Sequence, residues 1–300
     1  MSLLVWGSVA LDSVETPAER RDDVLGGSAV FFSYAASYFT PTCLVADVGD
    51  DWPSEHTDLL RARNVDTRGL NVLAGEKTFR WRGKYQPNMN DRETLEVHLN
   101  VLGKFDPVLP EDFRRSRFVF LGNGSPATQR KVIEQVPDAA LVVADTMDLW
   151  INMARDELMD LFKRIDGLVL NDAEARLLTD DENLVRAGHA VRAMGPKFVV
   201  IKKGEHGAMF FGKDETYVMP AYPTPDVVDP TGAGDSFAGG MMGYLAEQRS
   251  FDPQTLKTAL AYGTVVASFT VEDFSLDRMK QIERPDLEAR MQQYKRMLSF

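Results

Sequence analysis

The chain has 300 residues, 44% hydrophobic and 26% charged, a composition that suits a globular protein large enough for one big α/β domain or two small ones. Its 34 basic and 45 acidic residues give a formal net charge of -11, which argues against nonspecific binding to nucleic acid. The single cysteine, Cys43, excludes an internal disulfide, no apolar stretch is long enough to span a bilayer, and no leader-like segment opens the chain, so a cytoplasmic protein without a membrane partner is expected.

In chain order, a short apolar run at 3–6 reads as a buried strand that ends at Gly7-Ser8, with Asp12 following. Gly26-Gly27-Ser28-Ala29 opens a helix predicted over 27–39, with Val30, Phe31, Tyr34 and Tyr38 on one stripe. A strand at 44–48 and a helix at 55–63 come next. Further strands are predicted at 118–121, 141–144, 168–170 and 198–201, separated by helices around 126–136, 155–164, 173–179 and 184–194. Helical patterns beginning near Asp235, Pro253 and Pro285 end the chain. Alternation of this kind predicts a mainly parallel sheet covered by helices on both faces.

Residues 72–104 interrupt the alternation. Phe79, Trp81 and Tyr85 take odd positions, and Arg80, Arg82 and Lys84 even ones. A period of two puts the aromatics on one sheet face and the cations on the other, as in a small β-flap. The aromatics could stack on a sugar or a nucleobase, and the two arginines could bind a phosphate on a phosphosugar.

Residues 229–237 read Asp-Pro-Thr-Gly-Ala-Gly-Asp-Ser-Phe. Phe237, Met241, Tyr244 and Leu245 share a helical face, so the helix is predicted to start at about Asp235. Its first amides lack intrahelical partners and carry the positive end of the macrodipole. Gly232 and Gly234 have no side chain to block an anion, and Asp235 sets a carboxylate beside it. An amide cradle next to a base is what phosphoryl transfer to a hydroxyl needs. The spacing lacks the third small residue of a dinucleotide fingerprint, and no Walker-type loop occurs.

The nine residues resemble the C-terminal signature of the ribokinase-like (PfkB) carbohydrate kinases. That resemblance implies one three-layer α/β/α domain over 1–300, a mostly parallel central sheet, and a small β-sheet lid formed by about 12–25 and 72–104. It implies an ATP- and Mg²⁺-dependent kinase acting on a small sugar, with Asp235 as general base and Gly232, Ala233 and Gly234 completing the anion hole. Asp12, Gly26, Gly27, Ser28, Trp81 and Asn123 would meet the substrate. Asn171, Glu174, Lys202, Gly204, Gly207, Thr231, Gly232, Gly234 and Gly263 would border the nucleotide, with Glu174 holding Mg²⁺ through water. Asp229 and Thr231 could form a K⁺ site, and the lid could pair two copies as a homodimer. The family's Lys or Asn after the Gly-Gly pair, and the Asn beyond it, are replaced here by Ser28 and Phe31-Phe32, which leaves the acceptor open. A nucleoside kinase, a phosphosugar kinase and a non-catalytic sugar- or nucleotide-binding regulator are the alternatives.

Overall fold

In the computed structural model, which describes residues 3–104 and 106–299, the strands form two sheets. In chain order they are β1 (Leu3–Trp6), β2 (Ala10–Glu15), β3 (Arg20–Gly26), β4 (Thr42–Gly49), β5 (Val65–Leu73), β6 (Phe79–Tyr85) and β7 (Arg92–His98). The second half adds β8 (Phe118–Leu121), β9 (Leu141–Asp145), β10 (Gly167–Asn171), β11 (Phe198–Lys202), β12 (Ala208–Phe211) and β13 (Thr216–Met219). The helices are α1 (Ser28–Ala36), α2 (Ser54–Ala62), α3 (Pro126–Glu134), α4 (Asp148–Met153), α5 (Arg155–Phe162), α6 (Asp172–Thr179), α7 (Leu184–Ala193), α8 (Ala233–Gln248), α9 (Pro253–Thr270) and α10 (Arg284–Leu298).

The large sheet has nine strands in the order β13-β12-β11-β10-β9-β8-β1-β4-β5, parallel except for β12 and β13. Its inner strands β1, β8 and β9 are buried on both sides, and successive residues go to opposite layers. Leu3, Val5, Phe118, Phe120 and Val143 pack with α1, α8, α9 and α10. Leu4, Trp6, Val119, Leu121 and Val142 pack with α3, α5, α6 and α7. This alternation makes three layers from one sheet. From β1 the chain first builds outward through β4 and β5, then crosses to β8 and builds the other way. The crevice beside β1 and β8 at their carboxyl ends is therefore the expected ligand site.

The small sheet runs β3-β2-β6-β7. Its first hairpin leaves the carboxyl end of β1 and its second follows β5. Both departures come from the same edge of the large sheet, so the small sheet stands over that crevice. The predicted alternation holds: Asp12 pairs across from Trp81, and Leu11 and Ser13 from Arg80 and Arg82. Directly opposed residues share a face, so Arg80 and Arg82 point away from Asp12. They are tied to Asp23 and Asp51, and to Glu96. The phosphosugar alternative loses the two cations on which it relied.

Several expected boundaries shift. The first helix spans Ser28–Ala36 rather than 27–39, and α8 begins at Ala233, two residues before Asp235. The earlier start follows from Gly232, which takes a left-handed conformation (φ 75°) as N-cap. Strand β5, helix α4 and the β12–β13 hairpin were not expected from the sequence. Among the described residues no helix is long and apolar enough to cross a membrane.

Helix α8 is apolar nearly all round because it is wedged between α1 and α9 and touches β1 and β8. Its approach to α1 depends on Gly239, where a Cβ would strike the carbonyl oxygen of Phe32 and sit 2.8 Å from the Ala35 methyl. Overpacking costs about 1–3 kcal/mol, whereas alanine in place of a helical glycine returns about 1 kcal/mol. The opposing atom is backbone and cannot rotate away, so the clash wins. Gly239→Ala should lower the thermal midpoint by a few degrees, and calorimetry showing an unchanged or raised midpoint would refute this packing account.

Candidate active site

Four strands of the large sheet deliver polar residues to the crevice from their carboxyl ends. Asn123 follows β8, Asp145 ends β9, Asn171 ends β10 and Lys202 ends β11. The Lys202 ammonium lies 3.4 Å from Asp145 Oδ2. It also packs against the start of α8, where a Cβ on Gly234 would stand 2.8 Å from Lys202 Nζ. Burial alone would lower the Lys202 ammonium, yet Asp145, Glu174 and Asp235 around it hold it above its ordinary range. The reverse holds for the acids. Burial and the Asp145 charge push Asp235 up to about 7, against the pull of Lys202 and Arg92. Burial and Asp145 raise Glu174 to about 8. Asp145 is itself raised by burial, with Lys202 opposing. Asp235 is half-buried in the first turn of α8. One lysine is set among three acids, and burial still leaves those acids holding their protons more tightly than free carboxylates.

The turn before α8 is built for close approach. A Cβ at Gly232 would collide with the Phe31 ring. The Ala233 amide donates to the Pro230 carbonyl (3.1 Å), so it is committed within the turn. The Gly234 amide has no backbone acceptor among the described residues, and the Asp235 amide faces its own carboxylate. Of the amides expected to line an anion hole, that of Ala233 is thus spent within the turn, and that of Gly234 is left without a backbone acceptor. Asp229 Oδ1 accepts from the Thr231 amide (2.9 Å) and shapes the turn, while the buried Oδ2 has no hydrogen-bond partner. Burial raises the Asp229 carboxyl.

Asp12 enters from the small sheet. It is buried and its Oδ1 has no partner. Burial pushes it up to about 7, partly offset by the Gly27 amide and reinforced by Asp229 and Asp235. Gly26 leaves the room that the Asp12 carboxylate occupies. Ser28 turns instead to Ser8, whose amide donates to Ser28 Oγ (3.1 Å), so its hydroxyl ties β1 to α1. Trp81 is half-buried and packs with Val14, Tyr85 and Phe274.

Other expected residues have structural uses that explain them without a ligand. Asn171 and Glu174 form a reciprocal capping box on α6, with bonds of 2.8 and 2.7 Å. Asn123 Oδ1 accepts from the Trp150 indole (3.0 Å). Gly207 is pressed against the backbone at Met219 and Pro220, and Gly263 against the Phe237 carbonyl, 2.7 Å from where a Cβ would sit. Gly204 begins a short turn that Asn90 of the small sheet reaches, donating to Glu205 (3.0 Å). Thr231 Oγ1 donates to the Tyr85 hydroxyl (3.2 Å), a second tie between the small sheet and the turn before α8. Sequence reasoning placed Tyr85 on the aromatic face of the flap but gave no sign of Arg92, whose charge reaches Asp12, Asp145, Glu174 and Asp235.

A parallel sheet with a smaller sheet over its carboxyl edge, and an acid in the first turn of a buried helix, define a ribokinase-like fold. The same fold appears in an E. coli protein solved with ATP and Mg²⁺ (TM-score 0.78, 20% identity, 97% of this chain and 99% of that one). It appears again in a Burkholderia thailandensis nucleoside kinase solved with inosine (TM-score 0.76, 18% identity, 97% and 98%). The pfkB family carbohydrate kinase model matches residues 22–281, and the chain belongs to that family. A cytidine kinase from Thermococcus kodakarensis is 28% identical over 258 residues, covering 84% of this chain and 91% of the relative.

The raised carboxyl of Asp12 makes a stability prediction with a definite sign. With its folded value near 7 and an ordinary value of 3.8, the folded state holds a proton that the unfolded chain releases between those limits. Stability therefore falls as pH rises through that window, and the penalty is complete above about 7. Asp12→Asn should raise the thermal midpoint at pH 8, by about 2–4 °C for each kcal/mol of relieved charge burial. The gain should shrink toward zero near pH 4. A pH-independent effect in differential scanning fluorimetry would count against buried charge as its origin.

Proposed function

We propose that this protein is a nucleoside kinase that moves the γ-phosphoryl group of ATP to a ribose hydroxyl. The observation that carries the proposal is the carboxylate of half-buried Asp235 in the first turn of α8, beside the free Gly234 amide and with Lys202 against it. Asp235 accepts the hydroxyl proton as the oxygen attacks phosphorus. The Gly234 amide faces the charge that grows on the transferring group. Lys202 is suited to the nucleotide phosphates, with Thr231, Gly232 and the Gly204–Gly207 turn alongside.

Among the described residues no group of three or more His, Cys, Asp or Glu is arranged to hold a metal ion. Mg²⁺ suits such a site when it keeps its waters and takes ligands from the nucleotide, with Glu174 and Asp145 behind that water. When bound, it neutralises charge on the β- and γ-phosphates. The unpartnered Asp229 Oδ2 is the proposed contact for K⁺.

The acceptor is read from Asp12 and the inner face of the small sheet. A buried carboxylate oxygen without a donor suits a substrate hydroxyl. Trp81 and the exposed Val97 lie on the Asp12 face, and an aromatic and aliphatic surface suits a planar base better than a bare sugar. The names of the cytidine kinase and the inosine-bound relative support the same acceptor class. The small sheet acts as a lid that keeps water from the phosphoryl group.

ADP release against a panel of nucleosides and free sugars tests the acceptor. Nucleosides should be preferred, and a free sugar outrunning all of them would overturn that choice while leaving the base assignment standing. Asp235→Asn should retain the fold and the KM for ATP but lower kcat about 100-fold or more. Near-normal turnover in a folded variant would remove Asp235 from its role. Because the base must be unprotonated, kcat/KM for the wild type should decline as pH drops through about 7, the value to which burial lifts Asp235. A flat profile from pH 5.5 to 8.5 would contradict it.

A further inference from the structure

Strand β7 does not pair evenly with β6. Arg80, Trp81 and Arg82 oppose His98, Val97 and Glu96, and then Gly83, Lys84 and Tyr85 oppose Thr94, Glu93 and Arg92. Leu95 is left without an opposite number, so it is the extra residue of a β-bulge. Val97 shares the inner face with Trp81. On an unbroken strand residues 95 and 93 would follow it inward, and Arg92 would point outward with Glu96. The bulge reverses the alternation. Arg92 now stands opposite Tyr85, the residue whose hydroxyl meets Thr231 in the turn before α8.

Three contacts fix that orientation. The Trp81 indole lies flat along the sheet over Gly83, where a Cβ would overlap it. Its Nε1 donates to Thr94 Oγ1 (3.3 Å), inside the bulged stretch. The Arg92 guanidinium stands 5.6 Å from the indole centroid, within cation–π range. The other cations of β6 are paired outward: Arg80 with Asp23 and Asp51, Arg82 with Glu96, Lys84 with Glu15. Among the described residues no carboxylate comes within ion-pair distance of Arg92, although its charge reaches Asp12, Asp145, Glu174 and Asp235. A positive group stands opposite Tyr85, within electrostatic reach of four carboxyl groups, without an ion pair to any of them among the described residues. The gap suits an anionic guest between them.

We propose that Arg92 is a catalytic residue, turned inward by the Leu95 bulge so that its guanidinium grips the phosphoryl group in transit between nucleotide and acceptor. The inference rests on the kinase reading above. In the step it serves, the acceptor oxygen forms a bond to the γ-phosphorus while the bond from that phosphorus to the β–γ bridging oxygen breaks. The proton passes to Asp235 and ADP leaves. Arg92 gains and loses no proton. It offers a planar donor fork to oxygens whose charge is redistributed during transfer. It also offsets the repulsion between the incoming phosphates and the carboxylates at the tip of α8.

The test compares Arg92→Gln and Arg92→Lys with the wild type, using the nucleoside that gives the fastest ADP release. Arg92 is exposed on its strand, so neither variant should disturb folding. Arg92→Gln should lower kcat about 100-fold or more, as loss of one preorganised donor does. The KM values for ATP and nucleoside should stay within a few-fold, because the contact belongs to the transition state. Arg92→Lys should recover part of the rate. Removing the charge should also move the acid limb of the kcat/KM profile to higher pH, since burial and Asp145 would then act on Asp235 with Lys202 as the opposing cation. Added guanidinium should speed Arg92→Gln and leave Arg92→Lys unchanged. Equal kcat in Arg92→Gln and wild type would overturn the proposal, as would a loss confined to KM for the nucleoside. A wild type that releases ADP for no acceptor would overturn both this inference and the kinase reading, whereas an active wild type with an indifferent Arg92→Gln would overturn this inference alone.

Discussion

The crowding of acidic groups around the tip of one buried helix is the constraint around which the molecule is arranged. Asp12, Asp145, Glu174, Asp229 and Asp235 all hold their protons more tightly than free carboxylates, and Lys202 is the cation set among them. Taking a carboxylate out of water without a full set of partners costs several kcal/mol. A sequence selected only for stability would have replaced some of these acids with apolar residues. Asp12 Oδ1 and Asp229 Oδ2 remain buried and unpartnered. Such local inconsistency is what a functional site looks like in an otherwise consistent fold. The guests that satisfy it must bring hydroxyl donors and cations, which describes a polyhydroxy acceptor and a metal-bound nucleotide.

The rest of the architecture keeps that strain in place. Strands buried on both faces fix the ends from which Asp145, Asn171 and Lys202 emerge. Helix α8 is pinned between α1 and α9 at distances only glycine permits, so its first turn cannot retreat from the crevice. The small sheet then closes the open side. Its hold combines polar ties, Tyr85 with Thr231, Asn90 with Glu205 and Arg21 with Asp277, with a small apolar seam of Val14, Tyr85 and Phe274. The hydrogen bonds among these each contribute about 1 kcal/mol. The large sheet, by contrast, is held by a continuous apolar core.

What could be read from the sequence follows the range of the interactions involved. Strands at 3–6 and 118–121 were legible because four apolar residues in a row have few alternatives, and the aromatics of β6 because their alternation is local. The glycines at 232 and 234 with Asp235 could be read because an anion cradle is a contiguous motif. Strand β5 was not legible: Asp66, Thr67, Arg68 and Asn71 break any apolar run, and it is placed by pairing with β4. The hairpin of β12 and β13 consists of two four-residue strands placed by long-range pairing, and α4 has six residues with little periodicity. Ser28 illustrates the opposite limit. Its position after two glycines suggested a ligand contact, while its hydroxyl is directed at Ser8, twenty residues earlier. A partner distant in sequence redirected a locally sensible reading.

Arg92 marks the deepest of these limits. Its segment, Arg92-Glu-Thr-Leu-Glu-Val-His98, reads as a polar strand in which residues two apart share a face. On that reading Arg92 belongs with Glu96 on the outside. The decision is reversed by one unpaired residue, visible only when the register with β6 is known. Leu95 supports this account from its own side. It is apolar yet 37% exposed, so packing does not explain its place in the strand. A bulge changes the direction of every side chain beyond it without changing the path of the chain by more than a local bend. The fold can therefore keep its sheet, its turn at Asn88–Asp91 and its contact with Glu205, and still choose which face receives the cation. Side-chain parity, rather than residue identity alone, is what sets a positive charge opposite the acids at the start of α8.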